Sequence, residues 1–166
     1  MKCPRTDAPL KPTKAGGIEI DISMGCGGIW LDKFELEKFT EPSAFAGELL
    51  VEHLKQFHKP LPELEKRLKC PKDIDVVMMR RFYSPKMQVE IDECPACGGI
   101  WLDAEELEQI RVLFPNSGDY EATQKAFISN VLSSKEVQEL NQEQEQYICK
   151  LRSVSNVLWS MIKFGF

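Results

Sequence analysis

A chain of 166 residues is long enough for one ordinary domain or two small ones, and a hydrophobic fraction of 43% permits a packed core. Its formal charge of −5 and sequence pI of about 5.2 exclude the broad positive field that gathers nucleic acid or an anionic membrane surface, leaving room only for a local basic patch. No apolar stretch approaches the roughly 18 residues of a membrane helix, and no charged start leads into an apolar run, so a cytoplasmic protein without a transmembrane segment is expected.

Along the chain, Cys3-Pro4 is followed by Ile18-Glu19-Ile20-Asp21-Ile22, which alternates apolar and acidic residues as a strand with one wet face does. Gly16-Gly17 before it supplies a turn. The heptapeptide Cys-Gly-Gly-Ile-Trp-Leu-Asp comes next, at Cys26–Asp32, and returns unchanged at Cys97–Asp103, 71 positions on. The repeat reaches back to a second Cys-Pro at Cys70-Pro71-Lys72-Asp73, a turn at Ser84-Pro85-Lys86 and a strand at Val89-Glu90-Ile91-Asp92. Each copy reads as a small antiparallel hairpin. Asp32 with Glu35, and Asp103 with Glu106, have capping-box spacing, so short helices are expected to begin at both aspartates. Trp30 and Trp101, inside Ile-Trp-Leu triplets, read as core wedges between hairpin and helix.

Between the copies, Ala46, Leu49, Leu50, His53, Leu54 and Phe57 share one helical face, and the helix must stop before Pro60-Leu61-Pro62. From Asp119 the composition turns to Gln, Glu and Ser, and the last region is expected to be helical. Val137, Leu140, Gln144, Tyr147, Leu151, Val154, Leu158 and Met161 follow the a/d rhythm of a coiled coil, suited to a dimer seam or to a helix folded onto its own domain. The tail Trp159–Phe166 carries apolar area that calls for a cover. The expected organisation is small α+β: a first hairpin unit over 1–42, a linker helix over 43–67, a second unit over 68–114 and a helical region over 115–166.

The cysteines read as metal chemistry. Cys94-Pro95-Ala96-Cys97-Gly98-Gly99 is a Cys-x-x-Cys turn closed by glycine, and Cys70 supplies a third thiolate. A tetrahedral Zn²⁺ wants a fourth ligand. Asp73 stands at the i+3 spacing where a cysteine is expected, although a carboxylate leaves the site at −2, whereas His53 or His58 would need the linker to fold over it. In the first copy Thr6 and Ser23 occupy two of the four positions, leaving Cys3 and Cys26. His53 and His58, or Asp7, could complete a site there; otherwise the copy is degenerate, with Cys3 and Cys26 as reduced neighbours or a labile disulfide. A redox Cys-x-x-Cys is disfavoured because the helix that would activate it starts only at Asp103, and no Walker loop, dinucleotide fingerprint or nucleophile–base pair appears, so no enzyme is expected. Met79-Arg80-Arg81 and Lys66-Arg67-Leu68-Lys69 form the one local basic patch, and Cys149 on the last helix reads as a buried or interface thiol.

Taken together, Cys-Pro-x-Cys/Asp, a strand, Cys-Pro-x-Cys-Gly-Gly-Ile-Trp-Leu-Asp and a following Glu-Leu resemble the bacterial transcription factor IIB-type zinc-finger family, a small zinc-ribbon fold, in two tandem copies over roughly residues 1–40 and 68–111. In that family four cysteines usually bind zinc, which implies Cys70, Cys94 and Cys97 with Asp73 in place of one cysteine, and only Cys3 and Cys26 in the first copy. The expected function is a structural-zinc scaffold that binds a protein partner, or a second copy of itself, through the C-terminal helices. Transcription regulation through nucleic acid, which the family name implies and the net charge disfavours, and a thiol sensor are the alternatives.

Overall fold

The computed structural model describes residues 1–57 and 65–164, with side chains as far as Arg152. The first hairpin joins β1 (Lys11–Ala15) to β2 (Ile18–Ile22) through Gly16 and Gly17, both at positive φ, +58° and +86°. That conformation suits the twist of a two-residue hairpin and is available to glycine without strain. The second copy builds its hairpin from β4 (Met79–Phe82) and β5 (Glu90–Glu93), with Ser84-Pro85-Lys86 in the longer connection. His58 and Pro60-Leu61-Pro62 lie outside the described residues, as do the side chains of Trp159–Phe166.

Each copy carries a third strand that a hairpin reading does not contain. The Ile-Trp-Leu triplets form β3 (Ile29–Leu31) and β6 (Ile100–Leu102), and these pair antiparallel with each other: Ile29 with Leu102, Trp30 with Trp101, Leu31 with Ile100. One six-stranded antiparallel sheet results, in the order β1-β2-β3-β6-β5-β4. The recurring heptapeptide is thus the seam along which the two copies join.

The pleat then sorts side chains by period two. Ile20, Ile22, Ile29, Leu31, Ile91, Ile100 and Leu102 enter one core with Leu36 and Phe39 of α1 (Leu36–Thr40), Leu50 and Leu54 of α2 (Phe45–Lys55), and Leu107 and Ile110 of α3 (Glu106–Leu113). Trp30 and Trp101 enter a second core with Cys3, Cys26, Cys70, Cys94, Leu68 and Met78. Both indoles therefore pack against the cysteine loops, and the hairpin–helix wedge expected of them is made by the flanking Ile and Leu. On α2 the buried positions are Gly47, Leu50 and Leu54, a face rotated from the expected one, with Leu49 exposed and His53 half-buried. Gly47 sets that face: a Cβ there would overlap the Phe39 carbonyl and the Arg111 guanidinium. Arg111 Nη1 in turn donates to the Phe39 and Glu41 carbonyls at 2.7 and 2.9 Å, so a side chain of the second copy closes the helix end of the first.

The capping aspartates are a correction. Glu35 and Glu106 do reach back, accepting from the Asp32 and Asp103 amides at 2.9 and 2.8 Å. The aspartate side chains, however, accept the indole N–H of Trp30 and Trp101, at 3.3 and 2.8 Å, and neither helix has a side-chain N-cap. A buried indole donor with no other acceptor outbids exposed helix amides that water can satisfy. Asp92, expected on a solvated face, is also buried, in front of Arg80.

The chain divides into two compact units, Met1–Thr123 and Gln124–Phe166. The first holds both copies and α2. Tyr83, Phe114 and Tyr120 close it with ring contacts of 5.0–6.1 Å, and Lys86 Nζ sits 4.4 Å above the Phe114 ring. The region from Asp119 is helical as expected, with α4 (Asp119–Leu132) and the 30-residue α5 (Lys135–Phe164). None of the described side chains of 124–152 is buried.

Candidate metal centre

In each copy a loop precedes the Ile-Trp-Leu strand, and its backbone closes twice. Cys94 N–H donates to the Gly99 carbonyl at 2.8 Å and Gly98 N–H to the Cys94 carbonyl at 2.9 Å; Ser23 with Gly28, and Gly27 with Ser23, repeat both bonds at 2.8 Å. The first glycine of each pair, Gly27 or Gly98, is at φ of +73° or +71°, a left-handed turn that aims the loop's amides inward. The second glycine makes room for an indole: a Cβ on Gly28 would overlap the Trp101 ring, and one on Gly99 would overlap that of Trp30.

Around the second loop, one donor atom each from Cys70, Asp73, Cys94 and Cys97 lies within 4.8 Å of all the others. The Cys70 and Cys97 sulfurs are 3.7 Å apart, and Asp73 Oδ2 lies 4.0 Å from the Cys70 sulfur and 3.7 Å from that of Cys94. Two sulfurs about 2.3 Å from a tetrahedral ion stand roughly 3.8 Å from each other, so the cage already has the dimensions of a zinc site. Amides reinforce it: Asp73 and Lys72 N–H groups point at the Cys70 sulfur at 3.2 and 3.4 Å. Burial pushes the Cys97 thiol up to about 12 and raises Cys70 as well; Cys94 feels burial too, but the backbone amides of Cys97 and Ala96 outweigh it and lower its pKa. A divalent cation supplies the positive charge that keeps such thiolates ionised, and three sulfurs with one carboxylate suit Zn²⁺.

The first loop builds the same cage from Cys3, Thr6, Ser23 and Cys26. The two sulfurs are 3.6 Å apart and the Cys26 thiol bonds to Ser23 Oγ at 3.3 Å. Cys3, Cys26 and Ser23 are fully buried. The Cys26 S–H lowers the Cys3 pKa to about 5, against burial and with help from the Ser23 and Thr6 hydroxyls, while the proton shared between them raises Cys26. Hydrogen bonds occupy the places that coordination would take. His53 stays on its own helix, its Nδ1 2.9 Å from Gln56 Nε2 and its ring edge-on to Phe57 at 5.3 Å, and among the described residues neither it nor Asp7 joins a metal-ready group. Cys149 is exposed in the single chain, so of the two roles expected of it, buried or interface thiol, the buried one does not hold.

Two ion pairs that spacing alone does not announce link the copies at equivalent positions. Arg5 grips Asp103 with Nε and Nη2, at 3.1 and 2.6 Å, in a nearly closed site. Lys72 reaches Asp32 at 3.1 Å in the open. The arginines of the basic patch also face acids and carbonyls: Arg80 lies beside Glu65, Glu90 and Asp92, Arg81 bonds Glu93, and Arg67 bonds the Met78 carbonyl.

No curated protein and no solved structure shows significant similarity to the chain. The transcription factor zinc-finger family model does match, over residues 2–42 and 69–111, about half of the chain and the two stretches that hold the loops, hairpins and Ile-Trp-Leu strands. With two tandem copies of its zinc-ribbon unit and a Cys/Asp cluster dimensioned for Zn²⁺, the chain belongs to the transcription factor zinc-finger family.

Proposed function

We propose that this is a non-enzymatic protein in which one structural Zn²⁺, held by Cys70, Asp73, Cys94 and Cys97, staples the second copy, while the stapled body and the C-terminal helices act as a protein-interaction or regulatory scaffold. The observation that carries the zinc reading is the convergence of four donor atoms within 4.8 Å in one copy, opposite a hydrogen-bonded Cys/Thr/Ser/Cys cage in the other. Zinc-ribbon proteins are generally non-enzymatic, which fits a metal enclosed by four protein ligands with no position left for substrate. The scaffold reading draws on the C-terminal helices, whose apolar side chains, Phe127, Ile128, Leu140, Tyr147 and Leu151 among them, are exposed.

Nucleic-acid binding is the weaker reading, because Arg5, Arg80 and Arg81 are all engaged with carboxylates and the net charge is −5. Thiol sensing is weaker too, since full burial of Cys3 and Cys26 keeps solvent oxidants from them.

Native mass spectrometry with metal analysis tests the ligand set. One zinc per chain is expected; Thr6→Asp with Ser23→Cys, which writes the second copy's donors into the first, should bring it to two. A chain that binds no zinc overturns the proposal. A salt titration of duplex DNA and RNA tests the scaffold: tight binding that falls steeply with salt would replace it with the nucleic-acid reading.

A further inference from the structure

Unit Gln124–Phe166 has no interior of its own among its described side chains, yet α5 runs for 30 residues, about 45 Å. Helices in water owe most of their stability to the packing of an apolar face. On α5 that face is a seam: Leu140, Tyr147 and Leu151 are 52–65% exposed and recur with Gln144 at steps of four, three and four. Beside the seam stand Glu143 and Lys150, each at the position just before an a residue of the heptad. Neither has an opposite charge three or four residues away on its own helix, where intrahelical pairs form.

We infer that α5 is the dimerisation element of this protein and that its occupant is the α5 of a second copy, running antiparallel. An antiparallel coiled coil sets each a position opposite a d position. One register places Leu140 against the second copy's Leu151, a leucine layer, and Gln144 against its Tyr147, a polar layer. Twofold symmetry repeats both layers. The same register brings Glu143 against the second copy's Lys150 twice, so that two charges lacking an opposite charge three or four residues away on their own helix gain opposite partners across the seam. The parallel alternative puts Glu143 opposite Ile148 and forms no charged pair there, and it stacks Gln144 on Gln144. Charge complementarity therefore selects the antiparallel self-pairing. The resulting pair of Gln–Tyr layers, enclosed by the two leucine layers, places polar groups at seam positions, where they help to fix register.

Sedimentation velocity on the full-length, zinc-loaded chain tests it. A dimer of twice 19.0 kDa is expected. Glu143→Lys and Lys150→Glu should each weaken self-association by roughly tenfold, since each converts two attractions into two repulsions. Mixing the two variants should restore it, because the heterodimer again pairs unlike charges at both contacts. The double swap in one chain should dimerise like the wild type. Circular dichroism confirms that the helix persists in each variant. A monomer at every concentration, a larger oligomer, or a dimer indifferent to both charge changes overturns the inference. Zinc content is read on the same samples, so a monomer that carries its zinc leaves the metal assignment standing.

Discussion

The two copies share a backbone and differ in what fills it. Both loops close with the same pair of amide bonds, both send a tryptophan across the seam, and both end at an aspartate that holds an indole. In the first, two thiols and two hydroxyls fill the cage and three of its residues are fully buried; in the second, three thiols and a carboxylate fill it, with Asp73 and Cys97 half-exposed. The difference follows from charge. A cage with a single thiolate, Cys3, steadied by hydrogen bonds from Cys26, Ser23 and Thr6, can be closed without a cation, whereas four potential anions can be enclosed only beside one. The loop's shape thus comes from glycines, amides and the indole, and a metal is an option that one copy keeps.

The comparison breaks most plainly at the sulfurs. Cys97→Ser, or chelation of the wild type, should abolish zinc binding and lower the melting temperature by roughly 10–20 °C, because the second cage is left with buried thiols and no ion. The loss should stay below the on-the-order-of-10 kcal/mol seen for isolated zinc fingers, since Ile91, Ile100 and Leu102 remain in a core shared with the first copy. Cys26→Ser should cost about 1–2 kcal/mol and no metal, the price of one altered hydrogen bond. Equal losses from the two substitutions, measured by calorimetry with metal analysis, would make the cages equivalent.

The cross-copy ion pairs come next. Arg5→Ala should destabilise by about 3 kcal/mol, because it leaves Asp103 nearly buried and without its bidentate partner. Lys72→Ala, at the matching position of the other copy, should leave the melting temperature essentially unmoved, and only the Lys72 pair should respond to salt. Denaturant titrations at low and high salt separate the two.

Smaller again is the seam itself. Gly28→Ala and Gly99→Ala should each cost about 2–3 kcal/mol by overpacking against the opposite indole. Trp101→Phe should cost less in the Gly28→Ala background than in the wild type, and a strictly additive cycle would mean that the glycine is needed for its backbone.

Much of the fold was legible because its signals are local. Period-two alternation marked β2 and β5, Gly16-Gly17 marked the turn between β1 and β2, and the recurring heptapeptide marked the repeat. The positions of Cys70, Asp73, Cys94 and Cys97 could be aligned by spacing alone. The pairing of β3 with β6 was not legible, since a three-residue strand has no period to read and its partner lies 71 positions away. Asp32 and Asp103 fit a capping pattern that is real for Glu35 and Glu106, but a competing donor two residues back takes the carboxylate. Arg5 and Asp103, 98 residues apart, offer no sequence signal beyond their charges.

Glu106 sharpens the comparison at its finest level. Burial, followed by the nearby Asp103 carboxylate, raises its pKa to about 8, although the Asp103 amide donates to it. A raised acid is one whose folded state holds the proton more tightly than the unfolded chain does. Its contribution to stability is therefore largest at low pH and declines as pH climbs from the ordinary carboxylate range, about 4.3, towards 8. Glutamine keeps the acceptor for the Asp103 amide and removes the charge. Glu106→Gln should consequently melt a few degrees above the wild type at pH 8, a gain on the order of 1–2 kcal/mol that shrinks to nothing near pH 5. Taking the difference between variant and wild type at each pH, in excess zinc, cancels the titration of the metal-binding thiols. Glu35→Gln is the matched control, because its side chain is partly exposed and paired with Lys38. A Glu106→Gln difference that does not change with pH would mean that water or Arg5 keeps this carboxylate charged, and that the two copies solve the start of their helices in the same way.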